Sequence, residues 1–182
     1  LMTPIDSIKY HREMLQTAFM VTDPISGQVK AWVGGIDFKN FKYDHANLKT
    51  KRQVGSAIKP FLYALAVEEY GFTPETMCED RQQHFPGSGY VPAKDRGHNG
   101  QRTMANALAW SVNEVAAYII KQTSPQRFAE FLKQIQIPTK VDPYPSISLG
   151  SCDLSLFEMM WGYSMFPTGG FSVKPLFITR IE

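Results

Sequence analysis

The sequence predicts an α+β fold in which a short antiparallel hairpin precedes a mainly helical part. Residues 18–22 and 28–33 are rich in β-branched and aromatic side chains, and Asp23-Pro24 with Gly27 between them is typical of a turn. Apolar residues recur at helical spacing from Ser56 onwards. Together these patterns predict one hairpin, four or five helices and a final extended segment.

Start and stop signals place the first helices. One helix is expected from Ser56 to a stop at Gly71. Thr103 is a plausible N-cap, and helical patterns follow at 104–108 and 115–120. The periodicity does not decide whether these two patterns form one helix or two.

Two further helices carry recognisable caps. Ser124-Pro125 is a capping residue followed by proline at the first helical position, and it opens a predicted helix through Ile135. Ser155 and Glu158 have the spacing of a capping box, which predicts a helix that ends near Phe166.

The remaining segments carry weaker signals. Residues 1–16 are a lead-in of uncertain structure, and 36–54 show no period and are expected to be loop. Residues 72–102 hold four Gly and three Pro, which predicts a long loop with little regular structure. Residues 171–181 are predicted to be extended.

Composition narrows the class of protein. The 182 residues fit one domain, with 43% hydrophobic and 20% charged residues and a formal net charge of +2. Because the basic residues are dispersed, no nucleic-acid partner is expected. No apolar run is long enough to span a bilayer, and the first residue is not Met, so we expect a piece of a longer protein.

The two cysteines do not decide the class of protein. Cys78 and Cys152 lack metal-ligand spacing, and either a disulfide or two small buried side chains would fit them.

The most informative stretch surrounds Ser56 and Lys59. On a helix these residues, three apart, lie on one face within reach of each other. Pro60 has no N–H and clashes with the carbonyl four residues back, so Ser56 is expected at the very start of the helix. The positive pole and free N–H groups of that end favour attack by its hydroxyl on a carbonyl.

A serine nucleophile needs a base, and a lysine can serve once it loses its proton. Burial and nearby positive charge lower the pKa of a lysine, because both disfavour the ammonium form. The pair alone is weak evidence, since a capping serine and a surface lysine give the same pattern far more often.

A second pattern strengthens the first. Ser111-Val112-Asn113 lies at the junction of the two helical patterns and pairs a proton-carrying hydroxyl with an amide that can bind a peptide. A Ser-x-x-Lys motif followed by a serine/asparagine motif is part of the set found in penicillin-binding proteins and serine β-lactamases.

With these motifs, the chain resembles the transpeptidase domain of bifunctional (class A) penicillin-binding proteins. The resemblance rests on four blocks of the sequence, which are 19–35, 52–61, 103–113 and 148–170. It implies a partial penicillin-binding-protein or serine β-lactamase-like transpeptidase fold. Residues 1–16 would be a lead-in or linker, and 17–182 the N-terminal part of the transpeptidase domain.

One expected motif is absent. The family's third block, Lys-Thr/Ser-Gly on a strand, has no match, because Lys49-Thr50-Lys51 lacks the glycine and Thr168-Gly169 follows Pro167. We therefore expect the chain to end before this motif, with the later sheet strands missing. The isolated fragment should be inactive, and its exposed surface should invite a non-native dimer.

The resemblance also implies a reaction and a location. Ser56 would be acylated by the D-Ala-D-Ala end of a peptidoglycan stem peptide, or by β-lactams, with Lys59 as proton acceptor. Ser111 would help to deliver a proton to the leaving group, and Asn113 would orient the peptide. No metal or cofactor is implied, and the protein would be extracytoplasmic, in bacteria, and anchored by a membrane segment outside this sequence.

Three other interpretations stay open at this point. A serine β-lactamase shares the first two motifs, although no residue here marks a water-activating base. A non-catalytic β-lactam sensor or scaffold would keep the fold without turnover. A structural helical domain would make the match a coincidence.

Overall fold

The computed structural model describes residues 2–94 and 99–181. The α-helices are α1 Pro4–Glu13, α2 Lys59–Tyr70, α3 Met104–Ala109, α4 Asn113–Thr123, α5 Pro125–Gln134 and α6 Leu156–Tyr163, and two 3-10 helices span Gly55–Ile58 and Pro145–Leu149. The strands are β1 Phe19–Thr22, β2 Val29–Val33, β3 Lys51–Gln53, β4 Met77–Asp80, β5 Gln83–Phe85, β6 Gly89–Val91, β7 Gly100–Thr103 and β8 Asp153–Ser155.

The chain forms two compact units. One unit combines the residues up to Thr50 with those from Ser155 onwards, and the other is Lys51–Leu154. The predicted α+β class is confirmed, since both units mix helices with short antiparallel strands.

The first unit contains the predicted hairpin. Strands β1 and β2 pair antiparallel, with Phe19 opposite Val33. The turn between them is held by the Asp23 carboxylate, which accepts hydrogen bonds from the N–H groups of Ile25 and Ser26 at 2.9 Å each. Gly27 ends the turn with φ +73°, a conformation that glycine adopts without strain. The hairpin prediction is confirmed.

The helix ends of the first unit match the sequence signals in part. The capping box forms, because the Ser155 hydroxyl accepts from the Glu158 N–H and the Glu158 carboxylate accepts from the Ser155 N–H. Helix α6 ends at Tyr163, three residues before the predicted Phe166. In 171–181 the described pairing is a single parallel bridge from Leu176 to Gln28.

The lead-in contains a helix that the sequence pattern did not resolve. Thr3 caps α1, and none of its residues is buried. The boundary at residue 16 between lead-in and domain remains a prediction.

Helix α4 is the centre of the second unit. Its apolar residues Val115, Ala116, Ile119 and Ile120 are buried, and it packs against α2, α5, β4 and the second 3-10 helix. Helix α2 ends as predicted at Gly71, whose φ of +68° makes it a left-handed cap. The hydroxyl of Ser124 caps α5, and this predicted helix is also confirmed.

The prediction of a long loop at 72–102 with little regular structure is wrong. Two antiparallel strand pairs form there, β4 with β7 and β5 with β6. Each strand has three or four residues, too short for a clear alternation of apolar and polar side chains. A long-range ion pair supports the outer pair, since Arg102 contacts the buried Asp80 carboxylate at 2.6 Å. The loop expected at 36–54 likewise contains β3.

The two cysteines do not form a disulfide bond in the structure. Cys78 is buried, and burial raises the pKa of its thiol to about 11, so it stays protonated at neutral pH. Among residues 2–94 and 99–181 no helix is long and apolar enough to cross a membrane. The same described residues hold no cluster of side chains suited to a metal ion.

Replacing Ser155 by Ala should lower the free energy of unfolding by about 1–2 kcal/mol, because a buried cap loses its hydroxyl. Thr3→Ala is the matched control and should have a much smaller effect, since the helix it caps buries no residue. Urea denaturation of both variants measures the difference, and equal losses would contradict the buried capping box.

Candidate functional site

Ser56 lies in the 3-10 turn that leads directly into α2. Pro60 occupies the first turn of α2 and cannot donate a hydrogen bond to the carbonyl of Ser56. That carbonyl instead accepts the N–H of Lys59, which is the i to i+3 bond of a 3-10 helix. Ser56 is therefore at the start of the helix, as the sequence predicts.

The side chain of Ser56 is exposed to solvent. Within residues 2–94 and 99–181, no acceptor is found for its amide N–H. This N–H belongs to the set that a helix N-terminus leaves without intrahelical partners. The residue thus presents a hydroxyl and a backbone donor on one turn.

Lys59 is buried, with 1% of its surface exposed. Its amine contacts three oxygen atoms, which are the Ser111 carbonyl oxygen at 2.6 Å, the Ser111 Oγ at 3.1 Å and the Asn113 Oδ1 at 2.7 Å. Three acceptors match the three donors of an ammonium group. A buried lysine requires such partners, because an unpaired charge in the interior is costly.

The junction between α3 and α4 supplies these oxygens. Ser111 has φ +52°, a left-handed conformation that is unusual for a residue with a side chain. This break separates the two helices, with Trp110 capping α3 and Val112 preceding α4. Asn113 is the first residue of α4, so its side chain stands at the helix N-terminus.

The structure brings Lys59, Ser111 and Asn113 together at one site. Lys59 contacts Ser111 and Asn113 across 52 and 54 residues of sequence. Ser56 precedes Lys59 by one 3-10 turn and is exposed to solvent.

Sequence reasoning missed two residues beside this site. Glu114 follows Asn113 and is 1% exposed, and neither carboxyl oxygen has a hydrogen-bond partner within the part of the chain that the structure describes. Gly150 touches the backbone of Gly55, immediately before Ser56. The glycine could have been noticed as the residue that ends a helical pattern, but its contact could not.

Comparison with known proteins identifies the family to which this chain belongs. The family model of the penicillin-binding protein transpeptidase domain matches residues 17–182 of this sequence. The chain belongs to this family. The predicted membership is confirmed, and a coincidental match of an unrelated helical domain is excluded.

Several relatives come from the class A group that the sequence resembles. Penicillin-binding protein 2D of Bacillus subtilis is 32% identical over 92% of this chain and 25% of its own length. Penicillin-binding protein 1A of Escherichia coli is 32% identical over 92% of this chain and 20% of its own. The chain therefore spans about a quarter or less of these relatives.

Solved structures agree with the fold. Penicillin-binding protein 1A from Haemophilus influenzae has a TM-score of 0.82 at 29% identity, covering 92% of this chain and 25% of that one. PonA1 from Mycobacterium tuberculosis, solved in complex with penicillin V, has a TM-score of 0.71 at 22% identity, covering 93% and 48%. The predicted partial transpeptidase fold is confirmed.

The left-handed Ser111 yields a stability prediction. Ser111→Gly relieves the strain of the positive φ, whereas Ser111→Ala keeps it, and both lose the hydroxyl contact to Lys59. The glycine variant should therefore be more stable than the alanine variant by about 1 kcal/mol. Chemical denaturation of the pair tests this, and an alanine variant at least as stable as the glycine variant would contradict the observed backbone.

Proposed function

We propose that this chain is the nucleophile-bearing part of a peptidoglycan D-Ala-D-Ala transpeptidase, with Ser56 as the acylated serine. Lys59 is its proton acceptor, Ser111 carries a proton to the leaving group, and Asn113 orients the peptide. Family membership supports the reaction class. The contacts of the Lys59 amine support the roles given to these residues.

The observation that carries the proposal is the set of contacts around the Lys59 amine. This amine joins the helix that begins beside Ser56 to the junction that holds Ser111 and Asn113. A purely structural lysine would gain nothing from lying one turn after an exposed serine at a helix N-terminus. A nucleophile with a buried base behind it requires this arrangement.

The three oxygens around Lys59 also suit a neutral amine. Two of them, the Ser111 carbonyl and the Asn113 side-chain oxygen, can only accept hydrogen bonds. The Ser111 hydroxyl can either accept or donate, so it can give its proton to the lone pair of a neutral amine. One proton can therefore move between Lys59 and Ser111 without displacing either residue.

The proposed acylation then balances as follows. The Ser56 oxygen bonds to the carbonyl carbon of the penultimate D-alanine, and its proton passes to neutral Lys59. The bond to the terminal D-alanine breaks, and that amine takes a proton from Lys59 through Ser111. An acceptor amine from a neighbouring peptidoglycan strand later attacks the carbonyl carbon of the acyl-enzyme. This step forms the cross-link and returns a proton to Ser56.

The negative oxygen of the tetrahedral intermediate needs donors. The N–H of Ser56 is suited to this role, since it has no acceptor among the described residues and lies at a helix N-terminus. Its partner donor would come from the Lys-Thr/Ser-Gly strand that the sequence lacks.

Further parts of the proposal rest on resemblance alone. The complete protein would carry a Lys-Thr/Ser-Gly strand, a membrane anchor and an extracytoplasmic location in a bacterium, with stem peptides and β-lactams as its ligands. The isolated 182-residue chain would be inactive. Exposed apolar side chains such as Phe171, Phe177 and Ile178 would favour its non-native dimerisation.

Ser56→Ala in the full-length gene product should abolish labelling by a fluorescent penicillin, because the acyl bond forms on its hydroxyl. Ser88→Ala, at another exposed serine, is the control and should label normally. Gel fluorescence after incubation measures both, and retained labelling of the Ser56 variant would refute its nucleophile role.

Lys59→Ala should slow acylation by roughly 10² to 10⁴-fold, because a general base typically raises the reaction rate by this factor. Lys59→Met fills most of the same volume and should show the same kinetic loss, which separates lost chemistry from a cavity. Lys121→Ala, which removes another hydrogen-bonded lysine of this unit, should leave the rate unchanged. Stopped-flow acylation rates test the proposal, and an unchanged rate in a folded Lys59 variant removes it from the mechanism.

A further inference from the structure

Gly150 makes an unusually close contact with the backbone that precedes Ser56. A Cβ atom built on Gly150 would lie 1.9 Å from the carbonyl oxygen of Gly55 and 2.5 Å from its nitrogen and carbonyl carbon. These distances are far inside van der Waals contact, and the atoms met are backbone. Only glycine fits at this position.

Hydrogen bonds hold the same two segments together. The N–H of Gly55 donates to the Gly150 carbonyl oxygen at 3.1 Å, and the N–H of Val54 donates to the Cys152 carbonyl oxygen at 3.0 Å. The pairing continues from here into strands β3 and β8. The segment 150–152 therefore fixes the backbone on the N-terminal side of Ser56.

The peptide unit between Gly55 and Ser56 depends on this contact. Gly55 has φ +54°, and a Cβ built on it would meet no atom within 4 Å, so steric crowding at Gly55 does not set its conformation. The Ser56 N–H belongs to the peptide that starts at the Gly55 carbonyl, the atom Gly150 touches. A shift there moves the amide and hydroxyl of Ser56 together.

We propose that Gly150 is a positioning residue for the Ser56 nucleophile, acting through its backbone contact with Gly55. This proposal rests on the function proposed above. Because Gly150 has no side chain, the segment 150–152 can pack directly against Gly55. This packing holds the Ser56 hydroxyl and N–H in the orientation that acylation requires. Positioning errors of about 1 Å can cost an enzyme about 10²-fold in rate.

Gly150→Ala in the full-length gene product tests the proposal against Gly71→Ala. Gly71 also has a left-handed φ, +68°, but an added Cβ there meets no atom within 4 Å. Both variants place alanine at a positive φ, but only Gly150→Ala creates a steric clash with the backbone of Gly55. We expect Gly150→Ala to lower the acylation rate constant for a fluorescent penicillin by at least about tenfold. Gly71→Ala should retain the normal rate constant.

Saturation kinetics separate positioning from general damage. The rate constant for acylation should fall, while the dissociation constant of the complex that precedes it stays close to that of the unaltered protein. Equal acylation rate constants for the two glycine variants, at matched thermal stability, would overturn the proposal. Labelling that survives Ser56→Ala would instead overturn the proposed function, so the two failures are distinguishable.

Gly55→Ala keeps the proposal testable should Gly150→Ala not fold. The added methyl meets no neighbouring atom, but alanine favours a negative φ and draws the Gly55 peptide away from its position. This variant should acylate more slowly than Gly71→Ala at a comparable loss of stability. The same rate constant in both would overturn the positioning role.

Discussion

The buried amine of Lys59 is the interaction on which the rest of the site depends. It ties the start of α2 to the α3–α4 junction through three oxygens from two residues. Removing a lysine from water is costly, so a site that keeps one at 1% exposure must supply partners with good geometry. The same partners that satisfy the amine are those that the proposed reaction needs.

This constraint explains why the two helices around Ser111 are separate. A continuous helix through 104–123 would turn the Ser111 carbonyl along the helix axis, where it would accept an intrahelical N–H. The left-handed φ of Ser111 releases that carbonyl to Lys59 and lets α4 begin afresh at Asn113. Strain of this kind persists only where surrounding contacts compensate for it, and it occurs often at functional sites.

Local chemistry explains which features could be predicted from the sequence. The Asp23 turn, the Ser155 capping box and the place of Ser56 before Pro60 depend on residues within a few positions of each other. The pairing of β4 with β7 and the contact of Gly150 with Gly55 join residues far apart in the sequence, which leaves no local pattern. The β5–β6 hairpin is local, but its three-residue strands are too short to show a clear alternation. The four proposed site residues were predicted from motifs, but the contacts of the Lys59 amine with Ser111 and Asn113 depend on the fold and could not be predicted.

A double-mutant cycle between Lys59 and Asn113 measures the central interaction most directly. Lys59→Met, Asn113→Leu and the double variant should be compared by urea denaturation with the unaltered protein. Because the two side chains bond to each other at 2.7 Å, the double variant should lose less stability than the two single losses summed, by about 1 kcal/mol or more. Additive losses, to within about 0.5 kcal/mol, would contradict a Lys59 amine that links the two segments.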